Sequence, residues 1–170
     1  MDISAQVQAL INEAPADEAM QEGIAIVAEV LGQVAVGLGH HQYYILQNLE
    51  KQWQITTLEH RAQPGVQKTV LYAYGHLADA TRSGRDADLI ATPVQAVPLL
   101  FQFFSFTQVD SLLFVDEAHQ PDQIKELNRA DLQTVVQATL EAQLHPDSPT
   151  NLLSDPIHDP LDSEEFGIIA

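Results

Sequence analysis

The acidic stretch Asp116-Glu117-Ala118-His119 contains the residue types of a magnesium site. It follows the apolar run Leu112 to Val115, and enzymes that hydrolyse nucleotides hold their metal with acids placed in this way. Such enzymes also need a phosphate cradle of the form Gly-x-x-x-x-Gly-Lys-Ser/Thr, whose glycines let backbone N–H groups surround the phosphates. Before Lys68-Thr69, Ala62 and Gln67 stand where those two glycines belong. The acidic stretch is therefore interpreted as the solvated end of a buried strand.

The histidines and serines form no recognisable catalytic or metal-binding pattern. His40 and His41 are adjacent, so their side chains diverge, and neither belongs to an HExxH spacing. Ser105 and Ser111 lie outside the Gly-x-Ser-x-Gly and Ser-x-x-Lys motifs of nucleophilic serines. The chain contains no cysteine, which excludes disulfides, thiolate metal sites and thiol nucleophiles. We therefore predict no catalytic residue, no metal and no cofactor, and the pattern points away from an enzyme.

Aromatic residues on neighbouring predicted strands allow three interpretations. These residues are Tyr43, Tyr44, Trp53, Tyr72 and Tyr74. A stacking platform would bind a planar ligand or single-stranded nucleic acid, and an exposed group would form a protein-docking patch. Packing between strands requires neither partner, and the two-residue period places Tyr72 and Tyr74 on one face. No basic residue stands among them, which argues against nucleic acid, and packing is the preferred interpretation.

The net charge limits the partners that the protein can bind. Twenty-four acids and seven bases give a charge of −17. Nucleic acids and anionic membrane surfaces bind clustered cations, whereas the seven bases are scattered between Lys51 and Arg129. No continuous apolar run approaches the ~20 residues that cross a bilayer, and the first residues carry an acid where a secretory signal carries bases. We expect a cytoplasmic protein that binds no nucleic acid and does not insert into a membrane.

One α+β domain is predicted over residues 1–145. Helical spacing predicts a pair of N-terminal helices, the first from Ile3 to Asn12 and the second from its capping residue Asp17 to Gly39. Three glycines in the second helix either permit close approach of another backbone or are merely tolerated: Gly23, Gly32 and Gly37.

From Gln42 the hydrophobic period changes from 3.6 to two, which predicts a mainly antiparallel sheet with helices packed on it. Three strands are expected in QYYILQNLE, WQITTLEHR and KTVLYAYG, the first two joined by a hairpin turn. A short helix ending at Gly84 follows, and DLIATPV is expected to be an edge strand or a loop. A buried helix with Pro98 in its first turn, the strand SLLFVDE and a final helix capped by Asn128 complete the domain.

The segment 146–170 differs in composition from the domain before it. It contains four prolines, six acids and no base, which predicts an extended or disordered acidic tail. The tail ends in an apolar tip, where Phe166, Ile168 and Ile169 are candidate partner-docking residues. Two interpretations stay open: the tip docks onto a partner's groove or sheet edge, or it folds back on its own domain.

The run from Lys68 to Glu117 resembles a known family. Its order of KTVLYAYGHLADATRSG, DLIATPV, a helix and VDSLLFVDE is similar to that of SseB-like (enhanced serine sensitivity) domains. The family pattern has a glycine in the turn where this chain has Gln108-Val109-Asp110-Ser111, and an Asn-Pro ending that this chain lacks. The whole chain also looks like small acidic uncharacterised proteins of cyanobacteria, mainly through QYYILQNLEKQWQITTL. Both resemblances imply a non-enzymatic module, and neither implies a catalytic residue.

Two functions are consistent with these observations. The first is a non-catalytic protein-interaction or adaptor module that binds a protein partner or self-associates as a homodimer, with the acidic tail as its docking segment. The alternative is a small-molecule-binding domain or enzyme with a pocket between the aromatic strands and the Val97–Phe106 helix. A docking module loses its partner when the tail is removed, whereas a binding domain is stabilised by its ligand.

Overall fold

The computed structural model describes residues 1–117, 120 and 124–145, together with the backbone of residues 157–158 and 166–168. Five helices lie within these residues: α1 (Ile3–Asn12), α2 (Glu18–Val36), α3 (Leu77–Ser83), α4 (Ala96–Ser105) and α5 (Arg129–Leu144). The strands are β1 (Gln42–Gln47), β2 (Thr56–His60), β3 (Gln67–Tyr74), β4 (Ile90–Gln95), β5 (Ser111–Val115), β6 (Ile124–Asn128), β7 (Ile157–His158) and β8 (Phe166–Ile168).

All the described strands belong to one sheet. Its order is β4-β1-β3-β5-β6-β7, with β2 paired to β3 and β8 paired to β2. The strand pairs are antiparallel except that of β3 with β5, which run parallel. The predicted α+β class, with a mainly antiparallel sheet and an N-terminal helical pair, is confirmed.

The strand pairings differ from the predicted hairpin order. Strand β1 pairs over its whole length with β4, so DLIATPV contains an edge strand. The chain between β1 and β2 makes only an isolated bridge with β1, from Trp53 to Gln47. Strand β6 was not predicted, although it forms five residue pairs with β5. Its charged residues are paired in the fold, because Lys125 Nζ donates to Gly37 O and Glu126 forms an ion pair with Lys68.

Four helices, α1, α2, α4 and α5, cover one face of the sheet, which we call the inner face. Alternate strand residues such as Tyr43, Leu71 and Phe114 point into this layer and are buried with the apolar sides of the helices. The intervening residues, among them Tyr74 and Val115, lie on the other face, the outer face, where α3 is the helix that packs. The alternation follows from the two-residue period of a strand.

Helix α2 is the described helix that is long and apolar enough, by length and composition alone, to cross a membrane. Eight of its residues are buried, and it contacts α1, α4 and α5. Its apolar sides are therefore the sides that face these helices, as in the core helix of a globular domain.

The predicted helix caps are present. The Asp17 side chain accepts a hydrogen bond from the Met20 N–H at 2.9 Å, and the Asn128 side chain accepts one from the Ala130 N–H at 2.9 Å. Helix α2 ends at Val36, one turn before the predicted end at Gly39.

The helix glycines separate into two kinds. A Cβ atom added to Gly32 would lie 2.6 Å from the Val7 Cγ2 atom of α1, so this glycine permits the close approach of the two N-terminal helices. A Cβ atom at Gly23 would meet nothing within 4 Å, so that glycine is merely tolerated.

A buried glutamine joins α1 to distant elements. The two N–H groups of the Gln6 amide have three acceptors within hydrogen-bond distance of the nitrogen: Met1 O at 3.0 Å, His41 O at 3.0 Å and Gln95 Oε1 at 2.9 Å. Its oxygen accepts from the Val97 N–H at 2.9 Å. The side chain is 1% exposed, and these partners satisfy it inside the core, as buried polar groups require.

The predicted tail lies outside the described residues except for β7 and β8. Strand β7 pairs with β6, and β8 pairs with β2 through Leu58 with Ile168, Glu59 with Gly167 and His60 with Phe166. Helix α5 ends at Leu144, and His145 is its C-cap residue.

Candidate functional site

A fork in the sheet opens a cleft on the outer face. Strand β3 pairs with β2 along its first four residues but with β1 only at Tyr74. Because β4 holds β1 along its full length on the other side, β1 and β2 separate beside the middle of β3. The resulting outer-face cleft has a volume of about 1340 Å³, with walls from β1, β2, β3, β5, α3 and the loop after α3.

Two stacked tyrosines form one wall of the outer-face cleft. The ring centroids of Tyr72 and Tyr74 are 6.1 Å apart and their planes are inclined by 22°, which confirms that these residues share a face. Burial raises the pKa of Tyr72 above its ordinary value, and Tyr74 adds to this effect. Burial also raises the pKa of Tyr74, although a hydrogen bond from Ser83 lowers it in part. Both phenols are therefore neutral at pH 7 and can donate hydrogen bonds to a ligand.

Charged residues from α3 and its following loop complete the cleft. Arg82 and Arg85, two of the seven bases in the chain, line it together with Asp79 and Asp86. Arg82 Nη2 lies 3.6 Å from Asp79 Oδ1, whereas Arg85 is exposed at the rim. In the sequence, no base stands among the aromatic residues. The fold brings these bases to the cleft because α3 folds back over the outer face directly after Tyr74. In the sequence, the signal for this arrangement is the helical spacing of Asp79 and Arg82.

The five aromatic residues do not form one platform. Tyr43 lies on the inner face and is fully buried, and the Trp53 ring packs edge-on against Phe106 at a centroid distance of 5.4 Å. Tyr44 is partly buried beside the cluster that contains Tyr74. Packing between strands and helices therefore explains most of these rings, and Tyr72 and Tyr74 are those that line the outer-face cleft.

Helix α4, against which a pocket was predicted, packs into the inner-face core. Val97, Leu99, Leu100 and Phe103 of this helix are fully buried in the inner-face core. An apolar helix of this kind packs against its neighbours on several sides. The cleft lies on the opposite face of the same sheet.

A second group of polar residues, which we call the polar cluster, lies where β3 and β5 end and β1 begins. The Tyr43 hydroxyl donates to Asp116 Oδ1 at 3.1 Å and accepts from the His40 N–H at 3.2 Å. His40 Nε2 is 3.8 Å from the same carboxylate oxygen, and its ring contacts the His76 ring edge-on at 5.2 Å. Asp116 is 9% exposed, so its prediction as a solvated residue is wrong; the hydroxyl of Tyr43 replaces water as its donor.

Two glycines make room for the polar cluster. A Cβ atom at Gly39 would lie 2.5 Å from Asp116 Oδ2, and one at Gly75 would lie 2.5 Å from His40 Nε2. Burial and the neighbouring Asp116 carboxylate raise the pKa of Tyr43, which keeps its proton on the hydrogen bond to that carboxylate. No group of three histidines or acids suited to a metal ion occurs in the described part of the chain.

Two of the three predicted docking residues belong to a described strand. Phe166 belongs to β8, which is paired with the outer edge of β2, and so does Ile168. Ile169 lies outside the described residues. His40 and His41 occupy the loop between α2 and β1, as predicted.

Comparison with protein-family models, with curated proteins and with solved structures finds no match to this chain. The candidate function therefore depends on the chemistry of the outer-face cleft and on the strand pairings, both of which are properties of the chain itself.

Proposed function

We propose that the protein is a non-catalytic module that binds a small planar anion in the outer-face cleft. The observation that carries this proposal is the stacked pair Tyr72 and Tyr74 beside Arg82 and Arg85 in a single cleft. Ligand sites are typically concave and largely apolar, with a few converging polar groups, and this combination occurs here in an otherwise acidic chain.

The shape of the cleft favours a ring system. The partly exposed ring of Tyr72, stacked on the buried ring of Tyr74, offers an aromatic surface on which a planar molecule stacks, and the neutral hydroxyl of Tyr72 donates a hydrogen bond to it. The volume of about 1340 Å³ exceeds the roughly 300–1,000 Å³ of drug-sized sites, which leaves room for both the ligand and bound water.

The charges of the cleft favour a ligand with an acidic group and a hydrogen-bond donor. Arg85 is exposed at the rim, and a guanidinium binds a carboxylate or phosphate through two parallel hydrogen bonds. Asp79 and Asp86 supply acceptors for an amino, hydroxyl or ring N–H group. The net charge of −17 repels anions over long distances, but screening limits this effect to about 8 Å at physiological salt.

The test is a thermal-shift and calorimetric comparison of matched ligands: AMP with adenosine, and 4-hydroxybenzoate with 4-hydroxybenzyl alcohol. We expect the anionic member of a pair to bind and to raise the melting temperature, because a ligand that binds the native state stabilises it. Arg85→Gln should weaken this binding about tenfold or more, since it removes a charge-assisted hydrogen bond.

Arg61→Gln is the matched control for this experiment. Arg61 is also exposed, but it lies in the loop between β2 and β3 and is not part of the cleft wall. Equal losses of affinity in the two variants would indicate a general charge effect, and an absence of binding by all four ligands would contradict the proposal.

The second candidate function is protein interaction through the tail. It is supported by the pairing of β8 with the edge of β2, because the same edge can take a strand from another chain. The resemblance to SseB-like domains agrees with a non-enzymatic module of this kind, and a cytoplasmic location is part of the proposal.

A further inference from the structure

The outer edge of β2 is a surface that accepts an extended strand. Strand β2 pairs with β3 on one side, through Thr56–Glu59, and with β8 on the other, through Leu58–His60. Within the described residues, β8 is the strand that covers this second edge. Without it, the backbone N–H and C=O groups of β2 would be open to pairing with another chain.

Strands β7 and β8 run in the same direction, although the connection between them is short. The pairings from β7 through β6 and β5 to β3, and from β3 through β2 to β8, make β7 and β8 run parallel to each other. Parallel strands in one sheet usually need a crossover connection of about a dozen residues or more. Only the seven residues 159–165 separate these two strands.

The distance between β7 and β8 is also large for this connection. Four strands lie between them, which places them about 24 Å apart across the sheet. Through the strand pairings, His158 is level with Tyr72 and Phe166 is level with Val66. These two levels are six residues apart, which is a distance of about 20 Å along the strand direction. On a flat sheet the separation is about 31 Å, against a reach of about 27 Å for eight residue steps. The sheet must therefore curl for one chain to make both pairings.

We infer that β8 of one copy pairs with β2 of a second copy, and that the exchange is reciprocal in a two-fold dimer. Exchange keeps the same residue pairs, and the seven-residue connection then no longer has to return to the opposite side of its own sheet. Short connections between elements promote strand swapping for this reason. This inference rests on the second candidate function, contact through the tail, and is independent of ligand binding in the cleft.

Engineered cysteines provide the main test, because the full chain contains no other cysteine. Glu59 and Gly167 are opposite each other in the pairing of β2 with β8, at a separation that a disulfide can bridge. The double variant Glu59→Cys/Gly167→Cys should form a covalent dimer on oxidation, seen on a non-reducing gel and lost with reductant. The same holds for an equimolar mixture of the two single variants, whereas each single variant alone lacks the opposing cysteine. A disulfide confined to single chains overturns the inference.

The solution mass of the full-length protein gives a second test that needs no cysteine. Light scattering should give twice the chain mass of 18.7 kDa. Gly167→Pro should reduce this to the mass of one chain, because proline removes the N–H and cannot pair in the strand. Glu165→Pro, at the position that precedes β8 in the sequence, is the control and should leave the dimer intact. A monomeric wild-type protein, or a dimer that survives Gly167→Pro, overturns the inference.

Discussion

The two faces of the sheet are built from the same strands but have different roles. On the inner face, Tyr43, Leu71 and Phe114 are enclosed by four helices and are fully or almost fully buried. On the outer face, Tyr74 is buried but the neighbouring Tyr72 is covered only in part, because α3 is short and the sheet forks beside it. A candidate site therefore arises where the covering helices stop and the strands separate.

The faces also differ in how polar groups are accommodated. Inner-face polar groups such as Gln6 and the Tyr43 hydroxyl are satisfied by specific partners within the protein. In the outer-face cleft, Arg85 and Asp86 remain exposed at the rim. We therefore expect substitutions on the inner face to change mainly stability, and substitutions in the cleft to change mainly ligand binding.

The largest effect is expected for Phe103→Ala on the inner face. The residue is fully buried, and removal of its ring should lower the free energy of unfolding by about 3–5 kcal/mol through lost burial and a cavity. Tyr72→Ala on the outer face should cost less, about 1–2 kcal/mol, since its ring is only partly buried. Urea unfolding of the two variants measures both values. A greater loss for Tyr72→Ala would reverse the comparison of the faces.

Tyr43→Phe tests the polar cluster at the end of the inner face. The change leaves the Asp116 carboxylate without its hydroxyl donor, and we expect a loss of about 1.5–3 kcal/mol in the free energy of unfolding at pH 7, as for other hydrogen bonds to charged groups.

We also expect Tyr43→Phe to change how the free energy of unfolding depends on pH. Burial, followed by the Asp116 charge, raises the pKa of Tyr43 in the folded protein, so folding favours the protonated phenol. This contribution is complete below the unfolded pKa of about 10 and is lost as the pH rises above it. In Tyr43→Phe, the fall in stability above about pH 10 should be shallower than in the wild type. Identical alkaline slopes in chemical denaturation at a series of pH values would contradict this assignment.

The smallest effects are expected for two glycines in one helix. Gly32→Ala should lower the free energy of unfolding by at least about 1 kcal/mol, because the stiff Val7 side chain lies where the new methyl group would be. Gly23→Ala, its matched control, meets open space and should raise stability by up to about 1 kcal/mol through its helix propensity. Thermal unfolding compares the two variants, and a gain in stability for Gly32→Ala would show that α1 can move away from α2.

The sequence predicted the fold where local chemistry determines it. The helix caps Asp17 and Asn128 and the apolar stripe of α2 depend on residues a few positions apart, and all are present. Strand β6 was missed because Lys125 and Glu126 are charged within it. Their partners, the Gly37 carbonyl and Lys68, are 88 and 58 residues away, so their pairing cannot be read from a local pattern.

The candidate site was predictable only in part, for the same reason. The shared face of Tyr72 and Tyr74 follows from the strand period. The fork that opens the cleft beside these residues depends on the pairing of β1 with β4, and the arginines reach the cleft because α3 folds back over the outer face. The polar cluster likewise joins Tyr43 to Asp116 across 73 residues, and only the glycines at positions 39 and 75 mark where it forms.

The amide of Gln6 has a consequence for the order in which the protein is made. Its partners lie at residues 1, 41, 95 and 97, so its set of bonds cannot be complete until the first 97 residues have left the ribosome. At a synthesis rate of about 5–20 residues per second, α1 waits for several seconds before α4 arrives. Among the described helices α1 is synthesised before the others, yet the amide of Gln6 fixes it to the domain only after α4 has followed.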